Sequence, residues 1–559
     1  MAVPGRWWML AAVSTATFML LLDVTVINVA LPDIQRSLHA SFADLQWVID
    51  AYALTLAAFL LTAGTLADQL GRRRVFLVGL AVFTLASLAC GLAGSPLVLN
   101  AARAVEGVGG AVMYAVTPAM IARDFHGRQR GLAFGVSGGV TGLAVAVGPL
   151  VGGALTALSW RWVFLLNVPV GAAVAAVTLL RVGESRDPRR RRVDRAGQVL
   201  FSLALTLLVL GLIRGEAEGW TSPLIVGLLV ASPVLLAAFV LTERRARDPM
   251  FDLALFRNRS FGGLAAATLL DNAAITVAIL FQVLYVQLIL GFSAFDTGLR
   301  YLPLTVVVFL AAAAAGAASA RVPARLLVGT GSAALGLGLL VSSGLTVRSG
   351  WTGLLPGMVL AGFGIGVFNP ARAATAVALV PLERAGMSSG ISETFQQGGA
   401  AVGVAALGSL AHARIQDSVA GQLAAGGRFT PGEVDRLTGL VSAARFAEAA
   451  QAVPPGQRPD LLLASHQAFL DGLDAVLRCG GVLALAGALL GVLLIRGRDL
   501  HQQPPTALPP DAAPLAGAVR SAGAVRSADA LRSADALRSA GALRSADAPS
   551  THRREKGYR

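Results

Sequence analysis

Long apolar runs broken by short polar stretches dominate the chain, at about 9 to 31, 47 to 67, 75 to 94, 97 to 121, 132 to 157, 162 to 181, 196 to 213, 222 to 242, 261 to 290, 298 to 319, 325 to 346, 353 to 380, 388 to 412 and 476 to 495. Each is long enough to cross a bilayer as a helix of roughly 20 residues. The runs are continuous and do not alternate as barrel strands do, so helices, which satisfy their own backbone in lipid, are the predicted element. The pattern predicts an all-α integral membrane protein of fourteen spans. An even number places both termini on one side.

Arginine placement tests that count. With the N-terminus inside, the inner loops hold Arg72 to Arg74; Arg123, Arg128 and Arg130; Arg186, Arg189 to Arg192 and Arg195; Arg244, Arg245, Arg247, Arg257 and Arg259; Arg321 and Arg325; and Arg384. The outer loops hold little more than Arg36, Arg161, Arg214, Arg300 and Arg348. The bias alternates loop by loop as the positive-inside rule demands, and one miscounted span would invert every later loop.

Composition agrees. Of 559 residues 55% are hydrophobic and only 14% charged, with a mean hydropathy of +0.67. Roughly 25% charge is usual in soluble domains, so a soluble enzyme is excluded. The net charge of +14 follows from the basic loops, and Lys556 is the one lysine. Nucleic acid is therefore not an expected partner, and the arginine, alanine and glycine richness suggests a GC-rich genome. Cys90 and Cys479 sit in apolar runs and are expected to be buried thiols, and the scattered histidines form no metal motif. The first apolar run continues through Asp23 to Pro32 without a small-residue cleavage site, so it reads as an uncleaved span.

Three stretches are not membrane. Residues 182 to 195 form an arginine-rich linker, a topology anchor or anionic-lipid contact. Residues 413 to 475 form a polar outer loop with helix-like patches, unusual in length unless functional or partly folded. Beyond Arg498 a proline-rich stretch precedes five copies of Arg-Ser-Ala-(Asp/Gly)-Ala-(Leu/Val/Pro), starting at Arg520, Arg526, Arg532, Arg538 and Arg544. This is low-complexity sequence, read as disordered.

Ionisable groups inside spans are costly and each is a functional hypothesis. Asp23, midway along the first span, either carries protons or contacts a cation, or else hydrogen-bonds a neighbouring helix for packing. Glu393, in Ser392-Glu393-Thr394-Phe395-Gln396-Gln397, lies on a polar stripe suited to a cavity, as a cation ligand or second proton site. Asp271 and Asn272 are a further candidate, coupling or structural. Asp50, near the outer end of the second span, is expected to be solvated. Arg103 and Glu106, three apart, share a helix face. They form either an internal ion pair or a switch in which Arg103 changes partners as a carboxylate such as Asp23 is protonated. Asp68 and the arginines that follow suit a charge clasp between helix ends, and Gly71 permits a tight turn. Glycines 135, 138, 139, 142, 148, 152 and 153 offer a smooth face for close helix contact, interrupted by Pro149. No glycine-rich loop ends in Lys-Ser/Thr, so ATP is not the expected energy source. No clustered His, Ser or Cys constellation points to an enzyme.

At these residues the chain resembles the major facilitator superfamily, and most closely its fourteen-span drug:proton antiporter branch. Gly64 to Arg74 is similar to the motif between helices two and three, with Gln69 where a basic residue is usual. Leu99 to Ala111 resembles the fourth-helix motif around a membrane arginine, here Arg103, with Glu106 where glutamine is common. Ala144 to Gly153 resembles the fifth-helix antiporter motif, with Ala144 for its leading glycine. The Asp23 segment, Trp160 to Gly171, and Tyr285-Val286-Gln287 followed by Gly291, Gly298 and Pro303 are similar to further motifs of that branch.

The resemblance implies the major facilitator fold, two six-helix bundles that rock about a central cavity, plus an inserted helix pair. The corresponding partition is residues 1–181, 182–259 for linkers and helices seven and eight, 260–498 with the outer loop 413–475, and a cytoplasmic tail 499–559. It implies Asp23 as the coupling carboxylate, with Glu393 and Asp271 as further candidates, and Asp68, Gly71 and Arg72 at the cytoplasmic gate. Arg103, Glu106, Gly148, Pro149 and Gly152 would shape the conformational change, the last three favouring exchange over symport. Asn28, Asn272, Gln282, Gln396 and Glu393 are the expected polar groups of a cavity for small hydrophobic or cationic molecules, Glu393 setting selectivity. The expected protein is a monomeric drug exporter in a bacterial cytoplasmic membrane, using no cofactor beyond the proton gradient. The alternatives are an exporter of one natural metabolite (amino acid, sugar or siderophore) and, from a different class, a membrane sensor.

Overall fold

The computed structural model describes residues 5–185, 194–246, 251, 253–319, 321–425, 429–442 and 446–500, apart from some side chains that include those of Asn28 and Pro149. The arginine run 189–192 and the repeat tail lie outside the described residues.

Seventeen α-helices and no strand occur among the described residues. The first group is α1 (Gly5–Leu38), α2 (Phe42–Leu70), α3 (Arg72–Gly91), α4 (Pro96–Asp124), α5 (Gly127–Thr156), α6 (Trp162–Leu165) and α7 (Asn167–Arg181). A pair follows, α8 (Arg195–Glu218) and α9 (Pro223–Arg245). The last group is α10 (Arg259–Leu284), α11 (Ala294–Ala318), α12 (Ala324–Val341), α13 (Leu355–Ala378), α14 (Ala385–Ala425), α15 (Pro431–Ser442), α16 (Phe446–Gln451) and α17 (Arg458–Leu494). Twelve of the helical segments are long and apolar enough to cross a membrane. The other two predicted spans, α5 and α14, are helices of 30 and 41 residues that pack inside the bundle.

Packing repeats between the two groups. In the first, α4 packs on α2 and α3, and α1 on α5 and α7. In the second, α13 packs on α11 and α12, and α10 on α14 and α17. The groups meet along two matching seams, α2 with α14 and α5 with α11, while α8 lies against α2 and α14. Small residues permit the approach: a Cβ on Gly135 would lie 2.6 Å from the Ala312 carbonyl oxygen, and one on Gly390 would lie 2.8 Å from that of Leu60. Both close approaches lie toward the end of the bundle that carries Arg72 to Arg74, hereafter the arginine-rich end.

Most of the described residues of the stretch 413–475 are helical. α14 runs on to Ala425 and α17 begins at Arg458, so at 1.5 Å per residue the two helices are about 60 and 55 Å long, well beyond a hydrocarbon layer of roughly 30 Å. Between their ends, α15 turns Val434, Leu437 and Val441 into a core shared with Ile415, Val419, Leu461 and Phe469. The charges that made this stretch read as polar lie on the opposite face of an amphipathic helix. Capping reinforces it: Thr430 donates its backbone N–H and hydroxyl to Glu433, each at 2.8 Å. Those two bonds hold the exposed Glu433 carboxyl below its ordinary range.

Candidate functional site

The first cluster forms around Arg103 on α4. The i to i+3 spacing brings Glu106 to the same face, and Arg103 Nη1 donates to Glu106 Oε2 at 2.8 Å. The same nitrogen donates to Asp23 Oδ2 on α1 at 2.5 Å. All three side chains are at most 1% exposed. Arg103 Nε donates to the Val48 carbonyl at 3.0 Å, and the Tyr52 ring lies 4.2 Å from the guanidinium carbon. Helix α7 starts at Asn167, whose side-chain amide donates to Asp23 Oδ1 at 3.4 Å and to Ser87 Oγ at 2.9 Å. Cys90 Sγ donates to Glu106 Oε2 at 3.5 Å. Asp23 therefore sits against a cation and an amide.

A second cluster sits in the other helix group. Arg372 on α13 donates through Nη2 to both oxygens of Glu393 on α14, at 3.0 and 3.2 Å, and through Nη1 to Ser392 Oγ at 2.6 Å. This pair borders a cavity of about 60 Å³ between the groups, lined by Thr17, Tyr114, Thr117, Asn369 and Gln396 among others. That is room for roughly four waters, far below a drug-sized pocket of at least about 300 Å³. As it stands the cavity takes water but no drug-sized molecule. Arg103 lies about 10 Å along α4 from its Pro96 end, whereas Arg372 lies about 9 Å from the arginine-rich end of α13. The two ion clusters therefore occupy opposite depths.

At the arginine-rich end, Asp68 reaches across the α2–α14 seam. Its carboxylate accepts the backbone N–H of Gly386 at 3.0 Å and of Met387 at 2.9 Å, at the positive end of α14. Arg72 donates to Asp68 Oδ1 from Nε at 3.0 Å and Nη2 at 2.7 Å, and Nη2 also reaches the Leu382 carbonyl at 2.5 Å. Gly71 joins α2 to α3 at φ +109°, and a Cβ there would meet Glu184 at 2.7 Å. Glu184 accepts from Arg73 N and Arg74 N, at 3.1 and 3.2 Å, and so caps α3.

The remaining sequence candidates fall elsewhere. Gly148 and Gly152 on α5 pack on Thr25 and Val26 of α1, two and three residues beyond Asp23. Asp271 is buried between α10, α12 and α17, where Ser332 donates to Oδ2 at 2.5 Å and Gly487 faces Oδ1. Asn272 donates to the Thr268 carbonyl of its own helix at 2.9 Å, and Gln282 is buried. None of these three lines the central cavity. Asp50, expected to be solvated, is buried, with Arg214 of α8 as its nearby cation. Arg372, Tyr114 and Glu184 are not singled out by the sequence, and Asn167 enters there only within the Trp160 to Gly171 motif, with no role of its own. Arg372 had a legible signal, an arginine inside an apolar run, whereas the others are common polar residues whose partners lie on distant helices.

The chain belongs to the Major Facilitator Superfamily, whose family model matches residues 13–404. It is 35% identical over 506 residues to the multidrug resistance protein Stp of Mycobacterium tuberculosis, covering 88% of this chain and 92% of that protein. It is 33% identical over 526 residues to the tetracenomycin C resistance and export protein of Streptomyces glaucescens, covering 91% and 95%. The human organic anion transporter MFSD10 (TETRAN) shares the fold at a TM-score of 0.57 and 16% identity, covering 88% of this chain and all of that one.

Proposed function

We propose that this chain is a proton-driven exporter of hydrophobic drugs, antibiotics or secondary metabolites, cationic ones among them, in a bacterial cytoplasmic membrane, working by alternating access. The observation that carries the reading is the fully buried Asp23–Arg103 contact, a carboxylate in the membrane whose guanidinium partner must be released or retained according to its protonation. The names of the relatives support export of antibiotics and drugs. In this reading α5 and α14 also cross the bilayer, giving fourteen spans with both termini cytoplasmic. Residues 1–181 and 260–498 form the two rocking bundles, 182–259 supplies the inserted pair, and the protein acts as a monomer.

Asp68, Gly71 and Arg72 then hold the cytoplasmic gate shut by capping α14, and its release opens the cavity inward. Drug enters beside Glu393 and Gln396, the gate recloses, and the outer side opens while a proton loads at Asp23. Gly148 and Gly152, packed along α1, let that helix shift against α5, and Pro149 lies between them in sequence. One charge moving down 100 mV supplies about 2.3 kcal/mol, enough to sustain a gradient. Asn28, Asn272, Gln282 and Asp271 take part only if the open cavity extends to them. A dedicated exporter of one natural metabolite is the second reading, favoured by the tetracenomycin C export protein that matches nearly end to end.

Efflux of lipophilic cationic and neutral dyes from proteoliposomes under an imposed pH gradient tests the proposal. Export that collapses with the gradient and is lost in Asp23→Asn supports it. Gradient-driven export that survives Asp23→Asn overturns Asp23 as the coupling site.

A further inference from the structure

We infer that Glu106 is a second proton-binding carboxyl of this protein, and that Asp23 and Glu106 hold one proton between them across Arg103. The inference rests on the transport reading above and departs from coupling through Asp23 alone.

The argument is one of charge and burial. Asp23 Oδ2 and Glu106 Oε2 both take their hydrogen bond from the same nitrogen, Arg103 Nη1, at 2.5 and 2.8 Å, and neither side chain is exposed at all. One guanidinium facing two carboxylates leaves an uncancelled negative charge where no solvent reaches it, and a buried unbalanced charge is relieved most simply by a proton. Among the described residues, the groups around Glu106 offer no second cation. Asp23 faces it from α1, Tyr52 from α2, Ser87 and Cys90 from α3, and Arg103 from its own helix. Asn167 on α7 spends its amide on Asp23 and Ser87. Among the described residues Glu106 Oε1 and the Tyr52 hydroxyl are buried with no hydrogen-bond partner, so the cluster has unfilled capacity on the Glu106 side. The Arg372–Glu393 pair in the other helix group is one cation with one carboxylate, and its charge already balances.

The consequence is an antiport rule. With one shared proton the triad is neutral; without it the triad carries one negative charge. A proton from the outer phase adds to a carboxylate oxygen and breaks that oxygen's bond from Arg103 Nη1, while Arg103 keeps the carboxylate still ionised. On release inward the proton leaves and the second bond re-forms, and the restored negative charge favours arrival of a cation in the cavity. Replacing Glu106 by glutamine leaves Asp23 and Arg103 as a balanced pair that has no need of a proton.

Proton-driven ethidium export by proteoliposomes, read near pH 6 and near pH 8, tests this together with the infrared C=O band of protonated carboxyls in the purified protein. Expected for Glu106→Gln is export reduced about tenfold or more near pH 8 but within about twofold near pH 6, with loss of one protonated-carboxyl band that Asp23→Asn also removes. Glu106→Asp should restore both. Loss of coupling in Asp23→Asn while Glu106→Gln keeps wild-type export at both pH values and its full infrared band overturns the shared proton and leaves the transport reading intact. Export by Asp23→Asn that still follows the gradient overturns that reading instead. The infrared measurement on Asp23→Asn decides the point even if Glu106→Gln fails to fold, because an unchanged band there is incompatible with sharing.

Discussion

Asp68 on α2 accepts the backbone N–H of Met387 at 2.9 Å, a bond that spans 319 residues of sequence and joins the two helix groups at the first turn of α14. The carboxylate simultaneously holds Arg72, both side chains being less than 10% exposed. One side chain thus combines a helix cap, worth about 1 kcal/mol, with a buried ion pair whose breakage typically costs about 3–5 kcal/mol.

Asp68→Asn should therefore open the arginine-rich end. The amide keeps the shape but leaves Arg72 buried without its counter-charge. Spin labels at Gln129 and Arg321, both exposed, should report a longer distance population, and dye export should fall at least about tenfold. Adding Arg72→Gln should recover thermal stability though not export, because it removes the orphaned charge while the single amide oxygen of Asn accepts only one of the two backbone N–H groups of α14.

Gly135→Val acts on the other seam with the same readout. Its branched side chain would press on Ala312, whose carbonyl already lies 2.6 Å from a Cβ at this position. Overpacking costs about 1–3 kcal/mol. This should penalise the conformation in which α5 and α11 touch, so the same label pair should separate. An unchanged distance distribution would mean that this seam does not close the bundle.

Glu393→Gln should discriminate among substrates. It strands Arg372 beside the cavity, adding net positive charge where a cationic drug would sit. Export of a cationic dye should drop about tenfold more than that of a neutral dye of similar size, and Arg372→Gln in the same chain should narrow the gap. Equal losses for both dyes would place Glu393 in packing alone.

Leu437→Ala probes the helical cap. Leu437 is 2% exposed in the core that α15 shares with α14 and α17, and such a truncation costs about 2–5 kcal/mol. Trypsin should then cut faster at the exposed Arg436, measured on purified protein, while the membrane helices stay protected.

Most of the helices were legible in the amino-acid sequence, because the cost of placing polar groups in lipid acts on each segment by itself and leaves an apolar run for every span. Local spacing also sufficed for the Arg103–Glu106 face and for the turn at Gly71. What local sequence does not encode is the partner across the bundle. That Asp23 shares Arg103 with Glu106, that Asp68 caps α14, that Arg372 takes Glu393, and that Asp271 faces Ser332 away from the cavity all depend on helices brought together from distant parts of the chain. The stretch 413–475 shows the same limit from the other side. Its apolar positions are too few to read as a span, and they became a core only when α14 and α17 extended far enough to give α15 a surface to bury them against.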